Sequence, residues 1–204
     1  MARIDKTAIR LLILTAILLP LWGCMSAMDA APAAQDKAPA NPSSDFLLPA
    51  LSDPDQQAYL GIDGTQTFAL EEIHAPIVLI EVFSMYCPHC QREAPNVNRL
   101  YRHIVEDPLL ASRVKLIGIG VGNTTYEVDL FRKAFDIPFP LFPDRSRQLA
   151  FGLEVRETPT FVGFARKIDG GLQRILFNPG PIGDMAAFLD RLLESADRVS
   201  SPDV

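Results

Sequence analysis

The chain has 204 residues, 48% hydrophobic and 22% charged, with 17 prolines, 12 glycines and three cysteines. Those proportions fit one globular domain with extra segments, exclude a disordered or collagen-like chain, and leave too few cysteines for a multi-bridge scaffold or a four-thiolate zinc site. The net charge is −6, and beyond residue 24 the chain carries 16 basic against 24 acidic side chains, so a nucleic-acid binder with its basic footprint is set aside.

Residues 1–24 read as an address rather than as structure. Arg3, Lys6 and Arg10 precede twelve residues, Leu11 to Trp22, that are almost all apolar. A membrane-spanning helix needs about 20 residues, whereas a signal-peptide core needs about 7–15. Leu21-Trp22-Gly23-Cys24 is similar to the lipobox of bacterial lipoproteins, which implies signal removal and a lipid on Cys24. The plainer alternative is a signal peptide in which Cys24 is incidental. Both readings carry the folded part out of the cytoplasm. Residues 25–44 follow as a tether in which ten of 20 positions are Ala or Pro. Such a segment buries too little surface to offset its ordering entropy. As a loose coil it would reach roughly 25 Å, and about 65 Å when stretched.

A folded domain is expected over residues 45–198, with 199–204 as a tail. Ile62-Asp63-Gly64-Thr65-Gln66-Thr67-Phe68 reads as a hairpin turn. Ile77 to Phe83 is a continuous apolar run broken only by Glu81, the mark of a strand covered on both faces. Residues 88–105 show helical spacing, with Ala94, Val97, Tyr101 and Ile104 on one side. Val114 to Val121 reads as a second buried strand, and Thr124 to Phe135 as a helix. Asp169-Gly170-Gly171 separates two strand-like runs and predicts a hairpin. Behind Asp184, the positions Met185, Phe188, Leu189, Leu192 and Leu193 follow the i, i+3, i+4, i+7, i+8 pattern of an amphipathic helix. This order implies an α/β fold with a mixed central sheet flanked by helices.

The chemistry sits at Cys87-Pro88-His89-Cys90, directly after the first buried strand. A cysteine at a helix N-terminus meets free N–H groups and the positive end of the helix dipole, which favour its thiolate. Pro88 suits the first helical position because its missing N–H would have no partner there. Cys90 comes one turn later, in reach of a small disulfide ring. His89, if cationic, would stabilise the Cys87 thiolate further. Half of a zinc site is the alternative, but the other histidines are only His74 and His103 and the other cysteine only Cys24. No metal or cofactor is expected. Glu81 is a costly residue to bury unpaired, and reads either as a proton acceptor for Cys90 or as a side chain reaching solvent.

The strand, the Cys–x–x–Cys at a helix start and Pro95 five residues beyond it resemble the thioredoxin superfamily. Thr158-Pro159 before Thr160-Phe161-Val162 is similar to that superfamily's cis-proline loop, which implies a substrate-contacting role for Thr158 and Pro159. The 69 positions from Cys90 to Pro159 resemble the TlpA/ResA group of membrane-tethered periplasmic oxidoreductases, which carry an added helical segment before this loop. The run Glu81 to Cys90 is similar instead to the DsbA oxidase centre, including a glutamate six residues before the first cysteine.

The resemblance implies an extracytoplasmic enzyme that exchanges disulfides with client proteins, with Cys87 attacking and Cys90 resolving. It implies further partners: a membrane redox protein, either a DsbB-like oxidant or a DsbD/CcdA-like reductant, and the membrane itself through the lipid on Cys24. With a cationic His89 the expected direction is oxidising, at a potential above roughly −200 mV. The alternatives are a TlpA/ResA-like reductase, for example in cytochrome c maturation, and a copper chaperone using Cys87, Cys90 and His89 or Met85. Thiolates favour Cu(I), but copper chaperones of this fold space their cysteines one residue wider and add a histidine near the cis-proline.

Overall fold

The computed structural model describes residues 46–63 and 66–200. The signal segment, Cys24, the tether and residues 201–204 of the tail lie outside the described residues.

The described chain begins with a short strand, Leu47–Leu48 (β1), and a helix, Pro54–Leu60 (α1). Asp53 caps the helix by accepting from the Asp55 N–H at 2.9 Å, Pro54 occupies its first turn, and Gly61 ends it at φ 67°, a left-handed backbone that favours glycine. The strand Phe68–Ala69 (β2) then pairs antiparallel with β1. The hairpin expected at residues 62–68 is therefore corrected: β2 returns to β1 across a helix, and the chain passes directly from β2 into a 3₁₀ turn at Leu70–Glu72.

The central elements are the strand Ile77–Phe83 (β3), the helices Pro88–Glu106 (α2) and Pro108–Arg113 (α3), and the strand Val114–Val121 (β4). They continue into the helix Thr125–Phe135 (α4), the strand Leu141–Asp144 (β5) and the short helix Gln148–Gly152 (α5). The strands Thr160–Arg166 (β6) and Leu172–Pro179 (β7) and the helix Met185–Ser200 (α6) complete the described chain. Asp184 caps α6 as its sequence implies, accepting from the Ala187 N–H at 2.8 Å. The hairpin at Asp169-Gly170-Gly171 joins β6 to β7.

The five strands are ordered β5-β4-β3-β6-β7. β3 and β4, and β4 and β5, are parallel, while β6 runs antiparallel to β3 and β7. Every residue of β3 is buried, as the unbroken apolar run requires of a strand covered on both faces. Its side chains alternate between two cores. Ile77, Leu79 and Phe83 join residues of α2, α4 and α6, including Ala94, Val97, Phe131, Phe188 and Leu192. Val78, Ile80 and Val82 face Leu48, Leu60, Phe68, Ala150 and Leu153 on the other side. The alternation places Glu81 on the face of Leu79 and Phe83, beneath α2.

Candidate active site

β3 ends at Phe83, and four residues carry the chain into α2. Four contacts hold this loop. The Met85 N–H donates to Asn123 Oδ1 at 2.9 Å, Gln91 Nε2 donates to the Met85 carbonyl at 2.7 Å, and the Cys87 N–H donates to the Ser84 carbonyl at 3.0 Å. The Tyr86 hydroxyl also donates to the Glu127 carboxylate on α4. Glu127 is itself fixed by the capping box of α4, where it accepts from the Thr124 N–H at 2.7 Å.

Cys87 occupies the N-cap of α2 and Pro88 its first turn, as the spacing predicts. Cys87 is partly exposed, Cys90 is fully buried, and the two are not bonded to each other. As a thiol, Cys87 donates to the Thr158 carbonyl at 3.2 Å. As a thiolate, it is opposed by partial burial but favoured by the side chain of Thr158, by the backbone and thiol of Cys90 and by the backbone of His89. The hydrogen bonds win, and its pKa falls below the ordinary thiol value. Burial has the opposite outcome for Cys90, whose pKa is pushed up to about 12, with Cys87 and Glu81 adding to the rise against the hydrogen bonds from Ser84 and Thr158. One sulfur is partly accessible with a lowered pKa, and the other is buried with a raised one.

Thr158-Pro159 is a cis peptide, as the resemblance implied. Its loop is tied down by the Gly180 N–H on the Pro159 carbonyl at 2.8 Å and by the Thr160 hydroxyl on the Glu157 carbonyl at 2.7 Å. The helix α5 lies just ahead of it, its N–H groups at Leu149 and Ala150 capped by the buried Asp144 carboxylate.

Glu81 is buried, which removes the reading of a side chain reaching solvent, and its Oε1 has no hydrogen-bond partner. Burial, with the Glu93 charge adding to it, raises its pKa to about 8. Glu93 is a site residue that the sequence reading passed over. It is buried on α2, with Oε1 accepting from the Ile182 N–H at 3.0 Å and Oε2 from Asn96 Nδ2 at 3.2 Å. Its signal was present: Glu93 falls in the helical stripe of Cys90, Ala94 and Val97, the face that must be covered.

His89 is exposed, and its Nδ1 lies 2.9 Å from Arg92 Nη2. A guanidinium only donates, so Nδ1 is the acceptor in this contact. Among the described residues no group of three or more His, Cys, Asp or Glu is arranged to hold a metal.

The AhpC/TSA family model matches residues 39–177. The Thiol-disulfide oxidoreductase ResA of Halalkalibacterium halodurans is 24% identical over 97 residues, 48% of this chain and 52% of that protein. The chain thus spans about half the length of the curated relatives it matches. Among solved structures, a hypothetical protein from Sinorhizobium meliloti 1021 gives a TM-score of 0.56 at 18% identity, over 82% of this chain and 89% of that one. A secreted Mycobacterium tuberculosis disulfide oxidoreductase homologous to E. coli DsbE gives 0.51 at 17% identity, over 73% and 95%. The shared feature at these identities is the thioredoxin-like fold.

Proposed function

We propose that this chain, which belongs to the AhpC/TSA family, is an extracytoplasmic thiol–disulfide oxidoreductase that reduces client disulfides through Cys87 and Cys90. The observation that carries the reading is the asymmetry of the two thiols on one helix turn: Cys87 is accessible with a lowered pKa, and Cys90 is buried with its pKa at about 12. In the reducing direction the Cys87 thiolate attacks one client sulfur and the client's S–S bond breaks. The leaving thiolate takes a proton from solvent. Cys90 then gives its proton to Glu81 in its ionised form, the minor form below about pH 8, and attacks the Cys87 sulfur, releasing the second client thiolate; Glu81 passes the proton on to solvent. The client gains two electrons, and a Cys87–Cys90 disulfide remains for a DsbD/CcdA-class membrane reductant to reopen.

The contact of Arg92 with His89, in which Nδ1 is the acceptor, supports this direction over the oxidising one, because the oxidising reading needs an imidazolium that donates from both ring nitrogens. The ResA match and the TlpA/ResA-like span before the cis-proline support the same choice. On this reading Cys24 carries the lipid and residues 25–44 hold the domain away from its membrane. Stoichiometric mixing tests it. The dithiol form should reduce a disulfide-bonded protein within minutes, whereas the disulfide form should oxidise a dithiol peptide much more slowly. Faster oxidation than reduction would reverse the assignment.

A further inference from the structure

A groove of about 500 Å³ beside the active site is lined by Ser84, Thr158, Val155, Phe151, Arg147 and Arg156. Thr158 is the residue whose carbonyl receives the Cys87 thiol, so the groove adjoins the place where a client's sulfur would sit. Phe151 offers an aromatic ring that is 84% exposed.

The charges along the groove are uneven. The Arg147 guanidinium lies over Gly122, where an added Cβ would meet its Nε at 3.3 Å. Both Arg147 and Arg156 are exposed, and among the described residues neither has a side-chain hydrogen bond or ion pair. The neighbouring carboxylates are otherwise engaged: Asp144 caps α5, Glu154 pairs with Arg174 at 2.9 Å, and Glu127 holds Thr124 and Tyr86. Glu157 is the one acid on the rim. Arg145 stands beside the adjoining hollow on the other side of Phe151. A chain of net charge −6 thus presents a locally cationic strip next to its nucleophile, where opposite charge steers encounter and selects partners.

We propose that Arg147 and Arg156 are specificity residues for clients whose cysteine lies within a few residues of acidic side chains, with Phe151 seating an apolar side chain between them. The inference deepens the disulfide-exchange reading and rests on it. An acidic segment would place its carboxylates on the two unpartnered guanidiniums while its sulfur meets Cys87.

The test compares two disulfide-linked peptides of identical length, one carrying Asp and Glu near its cysteine and the other Asn and Gln at the same positions. The wild type should reduce the acidic peptide with a kcat/KM about tenfold higher, an advantage that shrinks as salt rises. In the Arg147→Glu/Arg156→Glu variant the ratio between the peptides should fall to one or below. Equal rates on both peptides in the wild type, or a preference unchanged in the variant, would overturn the specificity proposal while leaving disulfide exchange standing. Reduction of neither peptide would refute disulfide exchange itself, and the specificity proposal with it.

Discussion

Glu81→Gln should make the reduced domain more stable and a poorer enzyme at the same time. Glu81 is wholly buried, its Oε1 lacks a partner, and its pKa is raised from 4.5 to about 8 by burial and by the charge of Glu93. Between those pH values the unfolded chain has released the proton and the folded chain still holds it. Stability therefore falls as pH rises, by about 1.4 kcal/mol per pH unit, is fully present below about 4.5 and has stopped falling above about 8. At pH 7 this costs the wild type on the order of 3 kcal/mol. Glutamine keeps the shape and cannot ionise, so the variant avoids that loss. Urea unfolding of the reduced proteins at pH 5, 6, 7 and 8 reads it directly. The midpoints should nearly coincide at pH 5 and separate by about 2 M at pH 8. Parallel curves across the range would show that Glu81 is not the buried acid described. Turnover should drop as stability rises, because Cys90 loses its proton acceptor.

Cys90→Ala should accumulate mixed disulfides with clients and Cys87→Ala few or none, seen as thiol-sensitive bands in non-reducing gels; equal trapping would contradict the assigned roles. Alkylation of Cys87 should titrate below the free-thiol value of about 8.5, and in Thr158→Ala or Thr158→Val a shift upward would report the loss of its side-chain hydrogen bond. Asn123→Ala should cost about 1–3 kcal/mol by leaving the Met85 N–H without its acceptor, measured by urea unfolding, with a slower Cys87 reaction as the loop above α2 loosens. Cys24→Ala should move the protein from the membrane to the soluble fraction; unchanged fractionation would remove the lipid anchor.

What could be read from the sequence follows the strength of local signals. The long apolar runs of β3 and β4 and the spacing of α2 and α6 carry their own periodicity, and each forms as expected. The helices α1, α3 and α5, of 7, 6 and 5 residues, span too few turns to show one, and they are held by caps at Asp53, Asp107 and Asp144 instead. The hairpin expected around residues 62–68 misplaced the pairing, because the strand that partners β2 lies on the far side of α1. Within the site, Cys87, Cys90, Thr158 and Pro159 were marked by spacing and resemblance. Glu93 was legible only once Cys90 and Ala94 defined a buried face. The contact of His89 with Arg92, one turn on, is a side-chain contact that no spacing rule selects.

The reduction potential of the Cys87–Cys90 couple tests the reductase reading most directly, by equilibrating the purified domain with glutathione buffers and with a stronger dithiol couple. On the reductase reading the potential should lie below about −250 mV, near the thioredoxin value of about −270 mV, and His89→Ala should move it by less than about 15 mV. A value above roughly −200 mV that falls by several tens of millivolts in His89→Ala would contradict the account and restore the oxidising centre.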